Sequence, residues 1–386
     1  MTKNSNSKSF ARSLISIILP ITLQNFLFSL IPVSDAVMLV VLDQDSMSAV
    51  SLASQAMFVL NLFIYALIAG MSMFAAQYWE KGDKRSIEKL MGYTMRLTIP
   101  ILLAFFAAAF FMPEGVMLLF TNEPEIIKYG IGYLRIVSFA YILDGIAQVF
   151  ATTLKNTGLV KESTAISILM VGLNILLNAV FIYGLIGAPR MGAAGAALAT
   201  TISCGVGFIA SIVIFKKKCS VGFHLNDMRQ TDARMRADFN KYSGPMLANQ
   251  LLWGLGFTMI TVIMGHLGSD AVAANSIVAV VKDMVSCFCF ALAAGGTIIV
   301  GNELGAGNLD RAREYGSKLC HLAIVSGIIT GVLMAASTPL IVSIAKLTPT
   351  ASRYLTAMLL MCIYYMVGRS LNSTIISGIF CAGGDT

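Results

Sequence analysis

The residues of this chain best equipped for chemistry are ionisable and amide side chains set inside long apolar runs. Asp35 stands seven residues before the end of the stretch 14–42 and three residues after Pro32. At 1.5 Å per helical residue, its carboxylate lies about 10 Å from that end. Pro32 cannot donate to the carbonyl of Phe28, so the helix is expected to bend there. An ionised group at such depth costs about 2.5–3.5 kcal/mol or more on insertion scales. A carboxylate so placed can take up a proton, or exchange it for a cation such as Na+. A carboxylate bonded to neighbouring helices for packing alone would use the same residue.

Asn174 and Asn178 are four residues apart in the stretch 163–187, hence on one helical face, and near the depth of Asp35. Their amide oxygens suit sodium coordination or a hydrogen bond from a protonated carboxyl. Interhelical amide packing is the other reading. Gln55, Asp144 and the adjacent Lys282 and Asp283 are candidate cavity residues. Neighbours on a helix point about 100° apart, so Lys282 and Asp283 do not face each other and each needs a separate partner. Arg135 and Arg369 are available for pairing or for snorkelling. Gln24, Asn25, Asn249 and Gln250 read as packing amides.

The elements that position these groups follow from composition. The chain has 386 residues, 57% hydrophobic and only 12% charged, too little polar surface to cover a soluble globule. Ten apolar stretches exceed the roughly 20 residues a bilayer crossing requires: 14–42, 47–79, 90–112, 126–155, 163–187, 191–215, 241–267, 271–303, 314–345 and 350–381. Backbone groups in lipid must be satisfied internally, so each is expected to be a helix. The first is too long for a signal peptide's apolar core. The seven cysteines lie almost all inside these runs without metal or disulfide spacing.

The net charge of +7 would suit nucleic acid, but the cations are distributed by topology. Numbering the gaps alternately puts 19 Lys and Arg on the side of the amino terminus and four on the other. That asymmetry predicts a cytoplasmic amino terminus in a cell inner (plasma) membrane, and no nucleic-acid partner.

An offset of 225 residues superimposes landmarks without a gap: Pro20 on Pro245, Asp45 on Asp270, Phe63 on Phe288, Gly82 on Gly307 and Tyr129 on Tyr354. The offset spans six helices, an even number, so the copies run in the same direction across the membrane. The expected fold is all-α and polytopic, with two parallel-repeat six-helix lobes. The assigned parts are a cytoplasmic tail 1–13, an amino lobe 14–215, a basic cytoplasmic linker 216–240 and a carboxy lobe 241–386. The second copy reaches only four helices by Thr386, so the repeat predicts two more beyond it.

Several stretches together resemble the multidrug and toxic compound extrusion (MATE) family. They are Leu19-Pro20 with Asp35, Asp45-Ser-Met-Ser-Ala-Val-Ser-Leu-Ala, and Gly265-His-Leu-Gly-Ser-Asp270. The loops Gln77-Tyr-Trp-Glu-Lys-Gly-Asp83 and Val300-Gly-Asn-Glu-Leu-Gly-Ala-Gly-Asn308, and the terminal Ala382-Gly-Gly-Asp-Thr386, fit as well. The resemblance implies an antiporter that expels cationic or amphipathic small organic compounds in exchange for H+ or Na+ by alternating access. Asp35 matches the family's coupling carboxylate and Asn174 an asparagine of the same site. Asn178 stands where several members carry a second acid. Trp253 and Ser370 stand where some members place carboxy-lobe acids, which favours coupling through the amino lobe. A lipid-linked oligosaccharide flippase of the same superfamily is the alternative; cationic rings would favour it, and only Arg135, Lys282 and Arg369 are available. No metal-ligand or nucleophile motif surrounds His224, His266 or His321, so neither enzyme activity nor a cofactor is expected. The expected partners are the bilayer and small substrates, and the expected state is a monomer.

Overall fold

A computed structural model describes residues 2–40, 44–228, 232–267, 269–345 and 347–384. Leu42 at the end of the first apolar stretch, Gly268 of the Gly265–Asp270 motif, Arg229 and Lys346 among the loop cations counted above, and the terminal Asp385 and Thr386 lie outside these. Among the described residues there is no strand. The helices are α1 (Thr2–Val40), α2 (Gln44–Glu80), α3 (Lys84–Phe111), α4 (Pro113–Leu118), α5 (Pro124–Asn156), α6 (Val160–Tyr183), α7 (Ala193–Lys218), α8 (Ala233–His266), α9 (Ser269–Gly305), α10 (Leu309–Ile344) and α11 (Pro349–Asn372). A π-helical run, Ser373–Phe380, continues α11.

Nine helical segments among the described residues are long and apolar enough to cross a membrane. The tenth expected stretch, 241–267, folds within α8, whose first turns carry Arg234, Arg236 and Lys241 and whose interior holds Pro245. Residues 2–13, expected as a tail, continue α1 as helix. The expected linker 216–240 is helical at both ends, because α7 runs to Lys218 and α8 starts at Ala233.

Local chemistry sets several helix ends. Asp83 accepts from the backbone N–H of Ser86 at 3.0 Å and starts α3. Gly184, at φ +75°, ends α6 in the left-handed conformation that a side chain disfavours. Thr348 caps α11 and Pro349 occupies its first turn, where a missing N–H costs nothing.

The chain divides into two compact units. The first comprises residues 30–75 and 83–250. Within it α5 packs on α3 and α7, and α7 on α6. Glycines set the spacing. A Cβ at Gly195 of α7 would meet the carbonyl oxygen of Phe181 in α6 at 2.6 Å, so the two backbones are nearly in contact. Buried polar groups pair across helices, as where Ser72 donates to Asn156 Oδ1 at 2.9 Å.

The second unit comprises residues 1–29, 76–82 and 251–386. Its core joins Ala274 and Val278 of α9, Met334 of α10, and Leu355, Leu359 and Met366 of α11. The α10–α11 seam is built on Gly327 and Gly331. A Cβ at these positions would lie 2.7 Å from Val367 Cα and 3.0 Å from Ile363 O. This small-xxx-small spacing lets helices approach where lipid supplies no hydrophobic drive. Beside it Ser326 and Ser370 share a buried hydrogen bond of 2.7 Å. The wider turn of this π-helical run is met by Thr297 of α9, whose hydroxyl donates to Ser377 O at 2.9 Å and lies 3.3 Å from both Gly378 O and Ala293 O of its own helix.

Gly327→Leu is therefore expected to destabilise the second unit by about 1–3 kcal/mol through overpacking. Gly172→Ala, at an exposed α6 site with nothing within 4 Å, is expected to leave stability unchanged or slightly raised. Thermal unfolding of both variants in detergent checks this; equal losses would rule out the close-approach account.

Candidate functional site

The first unit holds a continuous polar chain built on three helices. Asp35 of α1 is 8% exposed, and Asn174 and Asn178 of α6 are 1% and 0% exposed. Asn178 Nδ2 donates to Asp35 Oδ1 at 2.5 Å and also lies 3.3 Å from Asn174 Oδ1. Asn174 Nδ2 in turn donates to Thr200 Oγ1 of α7 at 3.2 Å. The i,i+4 spacing stacks both amides on one face of α6. That face meets α1 at Asp35, where Tyr183 also donates to Met38 O at 2.9 Å.

One atom of this chain is left over. Asn178 Oδ1 is buried and has no hydrogen-bond partner. An unpaired buried acceptor costs about 1–3 kcal/mol, and it is oriented within a cluster already holding a carboxylate. A protonated carboxyl, or a hard cation beside the carboxylate, would give that oxygen the partner it lacks. The donor set at Asp35, Asn174 and Asn178 is entirely oxygen on the acceptor side, which fits H+ or Na+ rather than a soft metal.

Around this core lie further groups, of which Tyr133, Ser54, Asn61, Gln148 and Thr200 were not singled out from the sequence. Tyr133 is buried and its hydroxyl stands 3.5 Å from Ser54 Oγ. Asp144 of α5 belongs to a neighbouring amide group: Gln148 Nε2 donates to Asp144 Oδ2 at 2.6 Å and lies 3.4 Å from Asn61 Oδ1 of α2. Asn61 and Gln148 are amides inside apolar stretches, a signal that could have found them. Thr200 sits in an Ala/Thr-rich run and gives no such signal. Gln55 is exposed on α2, one residue from Ser54. Pro32 is exposed, and α1 continues as helix beyond it to Val40.

In the second unit Lys282 and Asp283 have separate partners. Asp283 Oδ1 lies 3.4 Å from Arg369 Nη2, whose side chain is buried. Lys282 Nζ sits over the rings of Phe257 at 4.6 Å and Tyr365 at 5.9 Å. The Arg369 guanidinium stacks over Phe290 at 4.8 Å and bonds the Tyr365 hydroxyl at 3.3 Å. Trp253 packs on Phe257 with ring centroids 4.3 Å apart. The result is a cationic and aromatic cluster with one half-exposed acid.

At the basic end of the first unit, Glu88, His224 and Asp227 bring possible ligand atoms within 4.8 Å of one another. No local spacing revealed this, because Glu88 is on α3 and the other two follow α7. Arg85 bridges both carboxylates, at 2.8 Å from Glu88 Oε2 and 2.6 Å from Asp227 Oδ1. The guanidinium already supplies the positive charge, so the cluster reads as a clasp between α3 and the segment after α7.

Comparison with known proteins agrees with this architecture. The MatE family model matches residues 20–180 and 245–386. An uncharacterized transporter, YisQ of Bacillus subtilis, is 25% identical over 374 residues, covering 96% of this chain and 82% of its own. The probable multidrug resistance protein NorM of Pasteurella multocida is 25% identical over 360 residues, covering 85% and 70%. Among solved structures, the Vibrio cholerae MATE transporter VcmN in the bent form superimposes with a TM-score of 0.86 at 15% identity, over 99% of this chain and 85% of that one. With the family model matching residues 20–180 and 245–386, and nine helical segments among the described residues long and apolar enough to cross a membrane, this chain belongs to the MATE family of multi-pass membrane transporters.

Proposed function

We propose that this protein is an antiporter that exports cationic or amphipathic small molecules in exchange for H+ or Na+, with Asp35 as the coupling group. The observation that carries the reading is the buried Asp35–Asn178–Asn174–Thr200 chain with its one unsatisfied oxygen. Such a site is stabilised by whatever positive species enters it. Loading the carboxylate replaces a charged acceptor by a neutral or cation-bound one, and the Asn178 amide then exchanges its donor for its acceptor. The hydrogen bond that ties α6 to α1 is thereby rewritten, so ion occupancy and the conformation of α1 are linked. By linkage, an exported substrate that binds the unloaded state better is released when the ion binds.

The Pasteurella multocida relative is named as a probable multidrug resistance protein, which supports a drug-like cargo. Breadth of cargo is in keeping with the 22 methionines and 22 phenylalanines of the sequence, whose soft, adaptable surfaces suit varied ligands. The Lys282–Arg369 cluster offers aromatic faces as well as charge. Its single acid and two cations do not form the cationic ring that a pyrophosphate-linked lipid would require. The excess of Lys and Arg on alternate loops supports a cytoplasmic amino terminus in the plasma membrane.

In proteoliposomes loaded with a fluorescent cationic dye, efflux is expected to accelerate under an imposed inward H+ or Na+ gradient. Asp35→Asn should abolish that gradient dependence, and undiminished coupled efflux by the variant would defeat the mechanism. Asn178→Ala removes a hydrogen bond to a charged group, worth about 1.5–3 kcal/mol. It is expected to shift the ion concentration for half-maximal coupling by about tenfold or more. An unshifted curve would mean that the amide serves packing only. Impermeant thiol labelling of single cysteines near Lys84 and near Arg190 checks the orientation. The first should react only after the membrane is opened, the second in sealed cells; the reverse pattern would invert the topology.

A further inference from the structure

The first unit contains a cavity at the basic end of α7, lined by residues other than those of the Asp35 chain. Its volume is about 600 Å³, within the range of about 300–1,000 Å³ typical of small-molecule pockets. Its walls come from α3, α5, α7 and the segment that follows α7, and they are apolar apart from the lip: Met95, Ile99, Phe208 and Ile212 line it, and Lys216 stands at its edge. Among the described residues that line it there is no acid.

The cavity is held in shape by the segment 219–228. Phe223 packs edge-on against Phe150 at 5.6 Å, and Phe150 against Phe215 at 5.1 Å. The backbone N–H of Gly222 donates to Glu88 Oε1 at 2.7 Å. Asp227 is fully buried and paired with Arg85. A Cβ at Gly92 would lie 2.7 Å from the Asp227 carbonyl carbon, so the segment is seated directly on the α3 backbone. These are many fixed contacts for a short segment whose regular structure is the 3-10 turn Leu225–Met228. The cavity they enclose is therefore preorganised, which lowers the ordering cost of binding.

Away from Lys216 and Ser220 at its lip, the walls of this cavity are mostly apolar side chains that offer water few partners. The neighbouring acids, Glu88 and Asp227, are engaged with Gly222 and Arg85, so a cationic compound has no counter-charge at the site. A lipid tail satisfies the walls. The exposed lysines at the end of α7 satisfy an anionic head: Lys218 is paired with Glu162 at 3.1 Å, while Lys216 lines the cavity itself. We propose that this cavity binds an anionic phospholipid from the leaflet at the basic end of the helices, its acyl chain among Met95, Ile99, Phe208 and Ile212 and its phosphate on Lys216.

The test uses the purified full chain in detergent, titrated with phosphatidylglycerol or phosphatidylcholine and read by native mass spectrometry. Phosphatidylglycerol should be retained in preference to phosphatidylcholine, and excess inorganic phosphate should not displace it. Lys216→Gln should weaken its retention about fivefold, the effect of losing one basic contact near a membrane surface. A phosphatidylglycerol with a diazirine on its acyl chain should crosslink to Phe208, Ile212 or the segment 219–228, and unlabelled lipid should suppress the crosslink. Equal retention of the two lipids, unchanged retention by Lys216→Gln, or crosslinks confined to other helices would each overturn the proposal. The crosslinking arm uses the unmodified protein, so it decides the matter even where a substituted chain folds poorly.

Discussion

A polar group removed from water must find its partner inside the protein, and every informative feature of this structure is an answer to that requirement. Asp35 answers it with Asn178, and Asn178 with Asn174 and the carboxylate together. The chain ends on Thr200, a hydroxyl that can also satisfy the carbonyls of its own helix. In such a surrounding a single hydrogen bond is worth more than in water, and a missing one costs more. The unsatisfied oxygen of Asn178 is thus the least settled point in an otherwise satisfied cluster, and it sits beside the one carboxylate of α1.

The same requirement explains the packing of the second unit. Helices in lipid gain little from burying apolar side chains against each other, so they gain by approaching closely. Gly327 and Gly331 permit the approach, and Ser326 and Ser370 use it. Arg369 is the costly member of that unit. It is accommodated by one carboxylate, one phenol and two aromatic faces rather than by a full ion pair. Asp283 remains half exposed, so the cation's environment is softer than that of a sealed salt bridge.

Much of this was readable in the sequence, and the limits were physical. Helical crossings follow from apolar run length, and the shared face of Asn174 and Asn178 follows from a spacing of four. That Asp35 meets Asn178, 143 residues away, follows from neither; only similar depth and the MATE resemblance suggested it. Lys282 and Asp283 were expected to part company, because adjacent side chains diverge, but the aromatic partners Phe257 and Tyr365 carry no charge signal. The segment after α7 shows the opposite failure. The lysines and arginines of the flanking helix ends made 216–240 read as a basic linker, which concealed Phe223, Gly222 and Asp227, the residues that seat the segment against α3 and α5. The π-helical run was invisible, since Ser373–Phe380 has the composition of any apolar helix and its wide turn is supported by Thr297 of another one.

The seating of Asp227 on Gly92 has an evolutionary corollary. Any side chain at position 92 would push Asp227 outward and unfasten Arg85 from it, although positions 92 and 227 are separated by the rest of α3 and by α4 to α7. Substitution at 92 is then tolerable only in a lineage where 227 has already lost its acid or the segment has changed length. The two positions are expected to drift as a pair, and their joint identity in a homologue would report whether that clasp exists there.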